Sequence, residues 1–83
     1  MKREEEKLTG RLFIRNLSYS TTEEELANLF KKFGDIQEIH IPTKDGHGRG
    51  FAFLQFLEPE SAIKAQTALD GSIFQGRLLH IIR

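Results

Sequence analysis

The octapeptide RGFAFLQF, from Arg49 to Phe56, constrains the fold more than any other stretch, because as one strand it carries aromatic rings on both faces. Side chains alternate along a strand, so Gly50, Ala52, Leu54 and Phe56 share one face while Arg49, Phe51, Phe53 and Gln55 share the other. Arg49 and Gln55 mark that second face as wet. Two phenyl rings among polar neighbours form an apolar patch that water disfavours and a ligand with flat faces welcomes.

Little else fits around such a strand. A chain of 83 residues makes one small domain that buries only about 60% of the surface exposed by the unfolded chain, enough for one core but not for a deep substrate cavity. The chain has no cysteine, which excludes disulfides, thiolate metal sites and a cysteine nucleophile. No run approaches the roughly 18 apolar residues of a membrane span, and the opening MKREEEK is charged where a signal peptide would be apolar. Twelve basic residues balance twelve acidic ones. That balance argues against strong non-specific attraction to nucleic acid while leaving room for a basic face.

Residues 1–8 read as a charged, disordered lead-in or linker, and 9–83 as a single domain. Arg11 to Asn16 reads as a strand with Leu12 and Ile14 on one side and Phe13 and Arg15 on the other, so again an aromatic shares the face marked by a charge. Thr22 and Glu25 have capping-box spacing, and Leu26, Leu29, Phe30 and Phe33 form one apolar helical stripe that Lys31, Lys32 and Gly34 close. Ile36 to Pro42 is a second strand with Ile39 and Ile41 inward and Glu38 and His40 outward, where Ile36 breaks the parity and either precedes the strand or sits at a bulge. Thr43 to Gly48 is a loop, and the octapeptide is the third strand. Pro59 opens a second helix that runs to about Asp70, with Ala62, Ile63, Ala65 and Leu69 toward the core, and Gly71 ends it. After a Gln75-Gly76 turn, Arg77 to Arg83 forms the last strand, with Leu79 and Ile81 inward and Leu78, His80 and Ile82 outward.

The order strand, helix, strand, strand, helix, strand predicts an α+β fold of the ferredoxin-like split β-α-β type. Its four-stranded antiparallel sheet carries both helices on one face. Phe13, Phe51 and Phe53 are then left on the other face.

LFIRNL at Leu12 to Leu17 and RGFAFLQF at Arg49 to Phe56 resemble the two ribonucleoprotein motifs of the RNA recognition motif family. The second meets the pattern [KR]-G-[FY]-[GA]-F-[VIL]-x-[FY] at every position. The helix phrases EELANLF and PESAIKA agree, and TGRLFIRNLSY with FQGRLLHI is similar to one domain of the multi-domain nucleolar RNA-binding proteins of ribosome biogenesis. The resemblance implies single-stranded RNA as partner. Phe13 and Phe51 would each stack a base, Phe53 would lie against sugars, and Arg49 would contact phosphate. Arg15, Asn16, Glu38, His40, His80 and Ile82 would form the surface that reads base edges, with Lys44 on a nearby loop that folds over RNA. The resemblance also implies a nuclear and nucleolar setting in ribosomal RNA processing, and neighbouring domains of the same kind in a longer chain. The isolated domain is expected to be a monomer, without cofactor or metal.

Other readings of these residues are weaker. His40, His47 and His80 lack short ligand spacing, and Gly46, Gly48 and Gly50 lead into a strand where a dinucleotide cradle would open a helix. The glutamates at 23 to 25 suit a helix start without acid–base chemistry, and no serine, histidine and carboxylate triad stands out. An enzyme is therefore not expected. Single-stranded DNA stays open as an alternative ligand, since stacking serves both. So does a protein-interaction domain that has kept the fold, although members of the family that bind peptides through the last loop use an Arg-x-Phe phrase and this chain has Ser72-Ile73-Phe74 there. A partner over the apolar Leu78 and Ile82 would compete with RNA.

Overall fold

The computed structural model describes residues 9–83, and the expected lead-in at 1–8 lies outside them. Strands β1 (Arg11–Arg15), β2 (Ile36–His40), β5 (Phe51–Phe56) and β8 (His80–Ile82) form an antiparallel sheet in the order β2-β5-β1-β8. Helices α1 (Glu23–Phe30) and α2 (Pro59–Leu69) cover one face. Their buried Leu26, Phe30, Ala62, Ala65 and Leu69 meet Leu12, Ile14, Ala52, Leu54, Phe56 and Ile81 of the sheet in one core. The expected α+β fold, with β1 and β5 adjacent at the sheet centre, is the fold observed.

Local chemistry accounts for these elements. Thr22 Oγ1 accepts from the Glu25 N–H at 3.1 Å and Glu25 Oε1 accepts from the Thr22 N–H at 2.9 Å, so the expected capping box starts α1. The stripe continues beyond the α-helix, which tightens at Lys31–Phe33 into a 3-10 turn that keeps Phe33 packed against the core. Gly34 follows with φ 155°, and a Cβ there would come within 2.0 Å of Ser61 Oγ, so the close of α1 needs glycine to sit on the start of α2. Ile36 belongs to β2, and the register of β2 against β5 shifts between Ile36 and Glu38, so of the two placements its parity allows the bulge is the one observed.

Five features depart from the expectations. The third strand is Phe51–Phe56 and not the whole octapeptide, because Gly50 adopts φ 87° and breaks the alternation before Phe51. Thr43 to Gly48 is not an open loop: β3 (Thr43–Lys44) pairs with β4 (His47–Gly48) across Asp45 and Gly46, whose φ values of 55° and 80° suit a type I′ turn. The last strand is divided. Gln75 and Gly76 take φ of 54° and 82°, which folds β7 (Arg77–Leu78) back on β6 (Ile73–Phe74), so only His80–Ile82 joins the main sheet. Leu78 consequently lies opposite Ile73 in that small hairpin, off the open sheet face to which parity assigns it. Ile63 is 38% exposed, because the small Ala62 and Ala65 centre the buried side of α2 and each residue along a helix turns about 100°.

Candidate nucleic-acid interface

On the face without helices, side chains of consecutive strands fall into rows fixed by the register. One row runs His40, Phe53, Phe13, Ile82 across all four strands. On one side of it lie Glu38, Gln55 and Arg11, and on the other Phe51, Arg15 and His80. Eight of the residues singled out from the sequence (Phe13, Arg15, Glu38, His40, Phe51, Phe53, His80 and Ile82) thus meet in one contiguous surface.

The rings form its centre. Phe13 lies 4.9 Å from Phe53, with planes inclined 31°, and 5.6 Å from Phe51 at 55°. Phe51 and Phe53 meet edge to face at 6.1 Å. These separations suit attractive aromatic pairs. Their exposure differs: Phe53 is 42% exposed, whereas Phe13 and Phe51 are only partly open. The Arg49 guanidinium lies 5.8 Å from the centre of the Phe51 ring, within cation–π range. Arg49 therefore reaches the rings from the link between β4 and β5 and not, as parity suggests, from the strand itself.

Two shallow hollows flank the rings. Arg11, Glu38, His40, Phe53, Leu54 and Gln55 line one of about 340 Å³. Arg15, Asn16, Asp70, Leu78 and His80 contribute to the other, at the opposite end of the sheet, where His80 Nδ1 stands 3.8 Å from Asp70 Oδ1. Arg11 and Gln55 were not among the expected site residues. Their signal is parity, since each is two residues from a ring on the same strand face.

Asn16 has a different position from the others. It follows β1 with φ 67°, its Nδ2 donates to the Leu78 carbonyl at 2.7 Å, and its Oδ1 accepts from Arg77 Nη2 at 2.6 Å. Arg77 Nε also donates to the Asn16 carbonyl at 3.1 Å. The Asn16 amide thus ties the end of β1 to the β6–β7 hairpin. Lys44 lies exposed on the β3–β4 hairpin, which is joined to the loop after β1 by Gly48 N–H donating to the Tyr19 carbonyl at 3.0 Å.

Among the described residues no group of three or more His, Cys, Asp or Glu could hold a metal ion, and no helix is long and apolar enough to cross a membrane. Exposed cations, flat apolar rings and amide and carboxylate groups in rows are suited to a strand with phosphates, ring faces and hydrogen-bonding edges.

Known proteins are similar to this chain in sequence and fold. Multiple RNA-binding domain-containing protein 1 of Yarrowia lipolytica is 55% identical over 76 residues, which are 89% of this chain and 9% of that protein, so the chain spans under a tenth of this curated relative. The solution structure of the N-terminal RNA binding domain of a hypothetical protein superimposes with a TM-score of 0.85 at 47% identity, covering 90% of this chain and 78% of that one. A Sxl-lethal protein/RNA complex superimposes with a TM-score of 0.83 at 30% identity, covering 88% of this chain and 46% of the other. The family model for the RNA recognition motif matches residues 12–80, and the chain belongs to that family.

Proposed function

We propose that this domain binds single-stranded RNA across the open face of its sheet and catalyses no reaction. The observation that carries the reading is the cluster of Phe13, Phe51 and Phe53, held by strand register on a face that neither helix covers. An aromatic ring gains about 1–3 kcal/mol by stacking on an unpaired base. Phe13 and Phe53 are the favoured base platforms, because Phe53 is the most exposed of the three clustered rings and lies nearest to parallel with Phe13. Phe51, with Arg49 beside it, is then suited to sugar and phosphate. This exchanges the parts that the family resemblance implies for Phe51 and Phe53.

Arg15, Glu38, His40, His80 and Ile82 surround the rings as edge readers, Lys44 supports the backbone, and Asn16 acts on the fold. The relatives named as multiple RNA-binding domain proteins and the complex of a structural neighbour with RNA support the choice of ligand. A role in ribosomal RNA processing in the nucleolus is proposed from the resemblance of TGRLFIRNLSY and FQGRLLHI. A single platform in a chain of zero formal net charge gives modest affinity alone, raised by effective concentration when further domains are linked.

The test is an anisotropy titration of a fluorescent random octanucleotide RNA pool at low salt. Saturable binding that weakens in Phe53→Ala with the fold intact is the expected result. The same affinity in both proteins would refute the stacking surface.

A further inference from the structure

Glu38, Gln55 and Arg11 stand in register across three adjacent strands and line the hollow beside Phe53. A carboxylate is out of place on a surface meant for a polyanion unless a donor-rich group sits against it. Among the described residues neither Glu38 nor Arg11 forms an ion pair within 4.0 Å, so both charges remain available to a ligand. We propose that this row selects guanine as the base seated beside Phe53. The assignment rests on the RNA-binding reading above.

The bases differ in what they offer the row. Guanine alone presents two adjacent donors, N1–H and N2–H, which match the two acceptor oxygens of a carboxylate, while its O6 and N7 accept from a guanidinium. Adenine and cytosine offer one amino group and uracil one N3–H, so each leaves a Glu38 oxygen without a donor from the base. Glu38 and Arg11 lie two strands apart, about 9–10 Å between backbones, and their long side chains can reach the two adjacent polar edges of one purine. Gln55 sits between them with both a donor and an acceptor. The hollow of about 340 Å³ is at the small end for a ligand site, which suits one ring system with Phe53 as its floor.

The experiment titrates the domain with four heptanucleotide RNAs, each a uridine tract with G, A, C or U at its centre. The single varied base lets the protein slide until that base occupies the hollow. The G heptamer should bind about tenfold tighter than the A, C and U forms. Glu38→Gln, an exposed and nearly isosteric change, should remove the preference and bring the G heptamer to the affinity of the A, C and U forms. Equal binding of all four RNAs, or a preference for another base, overturns the guanine assignment while the RNA-binding reading stands. An undiminished preference for G in Glu38→Gln overturns the assignment to this row. No binding to any RNA overturns both readings together.

Discussion

The rings of Phe13 and Phe53 occupy directly paired positions on neighbouring strands, with centroids 4.9 Å apart. The same register places Leu12 opposite Leu54 and Ile14 opposite Ala52 in the core. Platform and core are therefore locked to each other, because a slip of one residue would carry Phe53 inward and Leu54 out. The ring-bearing open face is as well specified as the hydrophobic core behind it.

Replacing rings on the two faces of β5 should separate binding from folding. Phe53→Ala is expected to weaken RNA binding by about 1–3 kcal/mol and to lower stability by less than about 1.5 kcal/mol, mainly through the lost ring pair. Phe56→Ala, in the fully buried core against Phe30, should cost about 3–5 kcal/mol of stability. Denaturant unfolding and RNA titration of both variants check the contrast.

Arg49 should act through charge more than through base choice. Arg49→Gln is expected to weaken all RNA sequences alike and to flatten the dependence of log affinity on log salt by about 0.7, the value for one phosphate contact on a single strand. Titrations at several salt concentrations read the slope directly. An unchanged slope would remove Arg49 from the phosphate backbone.

Asn16 combines a left-handed backbone with two amide hydrogen bonds to the β6–β7 hairpin. Asn16→Ala should destabilise the fold by about 1–3 kcal/mol, since alanine loses the bonds and resists the positive φ. Asn16→Gly should lose less because glycine accepts the backbone. Faster hydrogen exchange is expected in both at the Leu79 amide, which donates to the Ser72 carbonyl.

A hydrogen bond from Gln75, then one from the Thr22 backbone, holds the Glu25 carboxyl below its usual range. Gln75 Oε1 also accepts from Thr21 Oγ1 at 2.7 Å, so this residue links the α1 cap to the β6–β7 turn. A lowered folded pKa means that the contribution to stability is complete above the ordinary value of 4.5 and is lost as pH falls through the folded one. Thermal melts should show wild type more stable than Glu25→Gln at neutral pH, with the gap closing as pH falls below 4.5.

The legible parts were those set by period and nearest neighbours. Alternation placed Phe13, Phe51 and Phe53 together, and the Thr22–Glu25 spacing located the helix start. What was hidden depended on backbone turns and distant partners. Nothing adjacent to Gly50 announces its positive φ, so alternation alone assigns Arg49 to the strand. The Gln75-Gly76 turn was legible, whereas the pairing of Arg77–Leu78 with Ile73–Phe74 that divides the last strand was not. Asn16 looked like an edge reader because its partners Arg77 and Leu78 lie more than sixty residues away. Arg11 had the right parity but lay outside the motif that drew attention to the rings.

We propose the open sheet face as the RNA-binding surface. It is tested most directly by following the backbone amide NMR signals of the labelled domain during titration with a pool of short random RNAs. Shifts are expected to concentrate in β1 and β5, at Arg11, Phe13, Arg15, Phe51, Phe53 and Gln55, with Ile63, Lys64 and Thr67 on the outer side of α2 unmoved. Shifts centred on the helices, with the sheet signals unchanged at saturation, would contradict it.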